Sequence, residues 1–156
     1  MKKMLAVFAV MVVCSGPVFA AFTPLKLSLF SPLALPPVDK VYGIDIGIFA
    51  TRSDEVKGIQ LGWFQATTTK LYGIQNSILS RSTEATGLQI GFGNITFNEM
   101  NGLQIGVVNG ASHQMNGLQL GLINIAGTLK GVQIGVVNVI MHGAPVPFMP
   151  ILNANF

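Results

Sequence analysis

The sequence predicts an all-β chain of repeated strands. The leading arrangement is a small outer-membrane-type β-barrel of about eight to nine antiparallel strands. The alternative is a β-solenoid with one coil per 14–15 residues. Three observations carry this reading. Half of the 156 residues are hydrophobic and only 10% are charged, against about 25% in ordinary soluble domains. A five-residue motif opened by glycine recurs seven times at nearly constant spacing. All eight prolines lie outside residues 38–144, whereas 16 of the 18 glycines lie within 41–140. Proline cannot donate to a strand ladder, so its absence there fits continuous backbone pairing. Two glycines per copy disfavour helix, and the branched aliphatics between them favour strand.

Taken in order, the chain opens on a predicted signal peptide at residues 1–20. Lys2 and Lys3 form its charged region, Met4–Val13 its apolar core, and Val18-Phe19-Ala20 a cleavage site before Ala21. The apolar run is too short to cross a bilayer as a helix. A buried N-terminal helix and a lipid-modified Cys14 are the alternatives, and the bulk of Val12 and Val13 disfavours the second. Removal of this segment takes away the only Cys and leaves seven Lys and Arg against six Asp and Glu. The sequence pI of 9.3 therefore implies no acidic partner, and nucleic-acid binding is not expected. Residues 21–156 are read as one domain: an N-terminal segment to residue 40, a repeat array over 41–140, and a C-terminal segment over 141–156.

Within the array, glycines 43, 58, 73, 87, 102, 117 and 131 open the copies, as in Gly102-Leu103-Gln104-Ile105-Gly106. The last four copies share an Asn seven positions on, at Asn94, Asn109, Asn124 and Asn138. Copy three is the most degenerate, with Asn76 and Ser77 in place of an aliphatic residue and Gly. The predicted strands are Val41–Thr51, Val56–Thr67, Leu71–Arg81, Ala85–Thr96, Met100–Ala111, Met115–Ala126 and Leu129–Ile140. Leu25–Phe30 and Ile151–Phe156 add one at each end. Segments such as Thr51–Glu55 and Thr67–Lys70 are read as turns.

Alternation along a strand gives each copy two faces. One carries an aliphatic stripe, as in Leu103, Ile105 and Val107; the other carries Gln104 framed by Gly102 and Gly106. In a barrel the stripe faces lipid and the Gln/Gly face lines a narrow interior. In a solenoid the stripes are expected to stack inside, with Asn and Gln ladders along the stack. The identical phase of every copy suits the solenoid. The alternating Leu152, Ala154 and terminal Phe156 suit the barrel, although three stripe positions are short for a strand of about 9–11 residues.

The unit Gly-Leu-Gln-Ile-Gly-Val-Val-Asn resembles that of exported bacterial surface-repeat proteins of the leptospiral type. Pro24–Pro32 and Phe148–Asn153 resemble the segments that bracket the repeats in that family. The likeness spans nearly all of the chain after the signal peptide, with departures in copies one to three, such as Asp45 in place of Gln. It implies export and a cell-surface or outer-membrane location, and it brings no catalytic residues.

Candidate chemistry is sparse. His113 and His142 have no second ligand at metal spacing. Asp54-Glu55 reads as a solvated turn. Gly91-Phe92-Gly93 lacks the third Gly and the helix of a dinucleotide loop. Ser53, Ser80, Ser82 and Ser112 lack a nucleophile-elbow context. Asn94-Ile95-Thr96 matches a glycosylation acceptor only formally. Trp63 and Tyr72 suit a membrane interface, and Met100 and Met115 suit packing. No catalytic, cofactor or metal site is expected. The expected function is non-enzymatic: a structural or narrow-pore outer-membrane protein in contact with the lipid bilayer. The alternative is a secreted or surface-attached solenoid that binds a ligand along its Gln/Gly face, and an exported enzyme is a distant third.

Overall fold

Each opening glycine pairs with the opening glycine of the copy before it, in one unbroken parallel register: Gly43 with Gly58, Gly58 with Gly73, and so on to Gly117 with Gly131. The computed structural model describes residues 22–30 and 33–156. The predicted signal peptide, its expected cleavage site and Cys14 lie outside the described residues. Strands β3 (Lys40–Gly47), β4 (Ala50–Gly62), β5 (Gln65–Asn76), β6 (Leu79–Ile90), β7 (Gly93–Ile105), β8 (Val108–Leu120) and β9 (Ile123–Ile140) follow one another along the stack. A residue thus sits about 4.8 Å from its counterpart one copy away. The chain is a β-solenoid of one coil per copy.

This overturns the β-barrel, the leading expectation from the sequence, along with its antiparallel pairing and its lumen. A barrel needs hairpins that reverse the chain, whereas here the segments read as turns keep winding in one sense. Thr51 and Ser53 pair with Ala66 and Thr68 of the next coil, and only single residues such as Asp54 and Thr69 drop out of register. The sharper bends fall elsewhere, at Trp63–Phe64, Gly91–Phe92 and Gly106–Val107. Each coil therefore has a long side A, such as Glu55–Gly62, and a short side B, such as Gln65–Thr68. Between them lie a first corner near Trp63 and a second near Thr69. The 14-residue copies lose their residue at corners, as where Ala126–Thr128 follows Ala111–Gln114.

The interior carries the Gln/Gly face, and the aliphatic stripe is outside. This corrects the expectation that a solenoid would stack its aliphatic stripes within. Gln60, Gln75, Gln89, Gln104, Gln119 and Gln133 are completely buried. Each donates through Nε2 to the coil before it: Gln75 to Gln60 Oε1 at 2.7 Å, Gln104 to Gln89 at 2.8 Å and Gln133 to Gln119 at 2.7 Å. A second ladder runs the opposite way, from Asn94 Nδ2 to Asn109 Oδ1 and from Asn109 to Asn124, both at 2.9 Å, then from Asn124 to Asn138 at 2.8 Å. Beside them Val56, Leu71, Met100, Met115 and Leu129 stack in one buried apolar column, as packing at Met100 and Met115 required. Among the described residues 22 buried side chains are polar or charged and 11 are hydrophobic, an inversion of the usual partition.

The glycines make this interior possible. Gly102 has φ 134°, a region closed to side chains, and a Cβ there would overlap the carbonyl oxygen of Gly87. A Cβ on Gly106 would overlap the Gly91 carbonyl oxygen and sit 2.6 Å from Asn94 Nδ2, so the second glycine makes room for both the adjacent backbone and the Asn ladder. Copy three keeps the rule by exchange: Ser77 takes the glycine position, Ser80 takes the Asn position, and their hydroxyls bond at 3.0 Å.

Extra strands cover both ends, as expected. β1 (Thr23–Phe30) pairs in parallel with β3 and is flanked by the short β2 (Leu33–Leu35). β10 (Phe148–Asn155) pairs antiparallel with β9, placing Asn153 over Gln133 and Leu152 beside Ile134.

Gly102→Ala is expected to cost about 3 kcal/mol or more in chemical denaturation, since it adds backbone strain to overpacking. Gly110→Ala is expected within about 0.5 kcal/mol of the parent, because a Cβ there meets nothing closer than 3.9 Å. Equal losses at the two sites would contradict the stacking geometry.

Candidate functional site

The outermost coil shows what the Gln ladder requires at its start. Every Gln points its NH2 toward the N-terminal end, so Gln60 needs an acceptor and meets Asp45. Asp45 Oδ2 accepts from Gln60 Nε2 at 3.0 Å and from Ser53 Oγ at 2.8 Å, while Oδ1 accepts from Thr51 Oγ1 at 2.6 Å. Below it in the same column lies Lys26, 2% exposed, whose Nζ donates to Ser53 Oγ at 3.0 Å and to the Arg52 carbonyl at 2.6 Å. Asp45, a departure from the repeat, is thus the ladder's terminal acceptor, and Ser53 bridges it to a buried ammonium. Sequence reasoning missed Lys26. The signal was the strict alternation of Leu25, Leu27 and Leu29 with Lys26 and Ser28.

At the opposite ends each ladder leaves an acceptor, Gln133 Oε1 or Asn94 Oδ1, without a partner among the described residues. Asn138 Nδ2, the last Asn donor, finds the carbonyls of Gly135 at 2.8 Å and Met149 at 3.1 Å. Both ladders therefore run in the sense that satisfies their donors, the more costly groups to strand.

The candidate catalytic residues are dispersed. Ser53, Ser80 and Ser82 are buried in hydrogen bonds within the stack. Ser112 and His113 sit exposed at the second corner, with His113 Nδ1 2.8 Å from the Phe97 carbonyl. His142 lies beyond the last coil. No group of three or more metal-ligating side chains forms among the described residues. Asn94 is fully buried in the Asn ladder, which closes it to a glycan. Gly91-Phe92-Gly93 forms a first corner. Asp54-Glu55 lies at the second corner, where Glu55 pairs with Lys57 at 3.0 Å. The Lys57 hydrogen bond holds the Glu55 carboxyl below its ordinary range, and Glu55 in turn raises Lys57. Solvent screens this exposed pair, so it adds little to stability. Lys57 also stands 4.4 Å from the Tyr42 ring centroid and 5.9 Å from that of Tyr72.

The surface is divided more sharply than the interior. Positions one, three and five after the opening glycine point outward along side A and onto the first corner. Over seven copies they are all apolar except Asn76. Ile59, Leu61 and Ile134 are 38–42% exposed, and Trp63 at the corner is 72% exposed. Leu25 and Leu27 extend these columns at one end, Leu152 and Ala154 at the other. Beside Asn76 a shallow depression opens between Leu61, Trp63, Ile78 and Phe92. Most charges collect at the second corner, where Lys40, Glu55, Lys70, Glu84 and Glu99 form one column, while Arg52 and Arg81 stand exposed on side B. The Gln/Gly face expected to bind a ligand is inside and cannot; the outer aliphatic face is the accessible one.

No protein-family model matches the chain, and no curated protein or solved structure matches it.

Asp45→Ala is expected to destabilise the protein by about 1–3 kcal/mol, since it strands the Gln60 donor. Gln104→Ala, which breaks the ladder at its centre, is expected to cost about 2–4 kcal/mol, because the Gln119 Nε2 donor loses its acceptor and a cavity adds to the loss. Denaturant midpoints of both variants near the parent's would contradict this role.

Proposed function

We propose that the chain is a non-enzymatic, exported β-solenoid that acts at the cell surface as a binding module, through its outer aliphatic face. The observation that carries the reading is the three-column apolar face of side A, broken across seven copies only by Asn76. Contiguous apolar patches above a few hundred Å² are rare on monomers and mark interaction sites. A six-residue length of strand at about 3.3 Å per residue, three of the six pointing outward, across nine strands spaced about 4.8 Å, gives a face on the order of 800 Å². The predicted signal peptide and the likeness of the repeat unit to exported surface-repeat proteins support a location at the envelope.

The test is fractionation of cells that produce the full chain, with a membrane-impermeant amine label reporting on exposed lysines such as Lys70. The protein is expected with the envelope and labelled on intact cells. An Ile90→Lys, Leu103→Lys, Leu118→Lys variant is expected to be exported, folded by circular dichroism, and lost to the medium. Retention of the variant equal to that of the parent, or a parent confined to the cytosol, would overturn the reading.

A further inference from the structure

We infer that the partner of the aliphatic face is lipid: the solenoid lies in one leaflet of a bilayer with its first corner among the acyl chains and its charged second corner in water. The inference rests on the binding-module reading above and names its partner.

The extent of the apolar surface argues for lipid over a second copy. Side A alone already offers about the 800 Å² per partner of a standard protein interface. A second copy laid flat on it would leave the rest of the apolar surface in water. Phe49 and Phe64 form a stacked pair at the first corner, 6.1 Å between centroids, 51% and 53% exposed. Beyond the corner Val108, Ile123 and Val137 carry the surface onto side B in the C-terminal coils. A fluid solvent covers a wedge on both flanks; one flat partner does not.

The backbone supplies the second argument. Hydrocarbon excludes bare N–H groups, and irregular bends usually carry them. Here the bends are paired from coil to coil. Ile78 N donates to the Trp63 carbonyl, Gly93 N to Ile78, Val107 N to Phe92 and Val137 N to Leu122, all at 2.9–3.3 Å. The first corner is thus irregular in course, yet these amides are paired from coil to coil, which lowers the cost of immersion.

Charge gives the orientation. No residue in the three outward columns of side A is ionisable. Tyr42, Lys57, Tyr72 and Lys130 stand in one column between that face and the second corner, the amphipathic types that reach from hydrocarbon to headgroups. Acids and bases mix at the second corner, so neutral headgroups suffice.

The chain holds a single tryptophan, Trp63, at the corner assigned to the acyl chains. The experiment uses purified protein lacking residues 1–20 and phosphatidylcholine vesicles, with and without bromine on the acyl chains. The protein is expected to float with both vesicles, with little change between low and high salt. Trp63 emission is expected to shift blue and to be quenched by the brominated lipid. In a Trp63→Phe, Glu99→Trp variant the probe sits at the charged corner, and its quenching is expected to vanish. Leu103→Lys with Leu118→Lys, outward substitutions, is expected to weaken flotation by about tenfold or more, the penalty for charge against hydrocarbon. Absence of flotation, or quenching stronger at position 99 than at 63, would overturn the inference. If vesicles fail while cells still retain the parent and release the lysine variant, lipid is excluded and the binding-module reading stands. If both fail, both fall.

Discussion

A primary amide is donor and acceptor at once, and a buried one is tolerable only when both halves are used. Gln104 uses Nε2 on the coil before it and Oε1 on the coil after it. That arrangement works only if the next Gln stands directly above, one strand spacing away, in every copy. The parallel register, the fixed coil length and the glycines that let backbones approach follow from it. Because amide chains in a dry interior strengthen one another, the ladder rewards a uniform stack.

The ends show the same constraint from its weak side. A ladder has direction, and its first donor must be answered by a group that can only accept. Asp45 does this for Gln60, and the backbone of β10 does it for Asn138. The Gln and Asn ladders run in opposed senses, so their dipoles partly offset each other. Copy three demonstrates the steric half of the rule. There Ser80 stands in the Asn column and Ser77 in the glycine column, and the two hydroxyls bond to each other.

Much of this was legible in the residues. The period, the strand content, the two unlike faces, the terminal strands and the packing role of Met100 and Met115 all follow from glycine spacing and alternation. The direction of pairing did not, because a Thr67–Lys70 segment reads equally as a hairpin or as a corner that keeps winding. Nor did the sidedness of the solenoid. Hydrophobicity puts Leu103 and Ile105 inside, and only the mutual satisfaction of stacked amides reverses this, a property of the assembled coils that no single copy displays. Asp45 looked like drift in the repeat and proved to be its terminus. Lys26 was invisible as an interior residue because a lone lysine is ordinarily solvated.

An interior that satisfies itself through polar groups frees the exterior to be apolar, which is the link between this fold and its surface. The direct test of that central claim is hydrogen exchange of side-chain amides by NMR. The Nε2 protons of Gln75, Gln89, Gln104 and Gln119 are expected to be protected far beyond those of Gln65 and Gln114, whose half-buried side chains stand outside the interior ladder. Interior amides that exchange as fast as those two would contradict the ladder, and with it the account of why the aliphatic face lies outward.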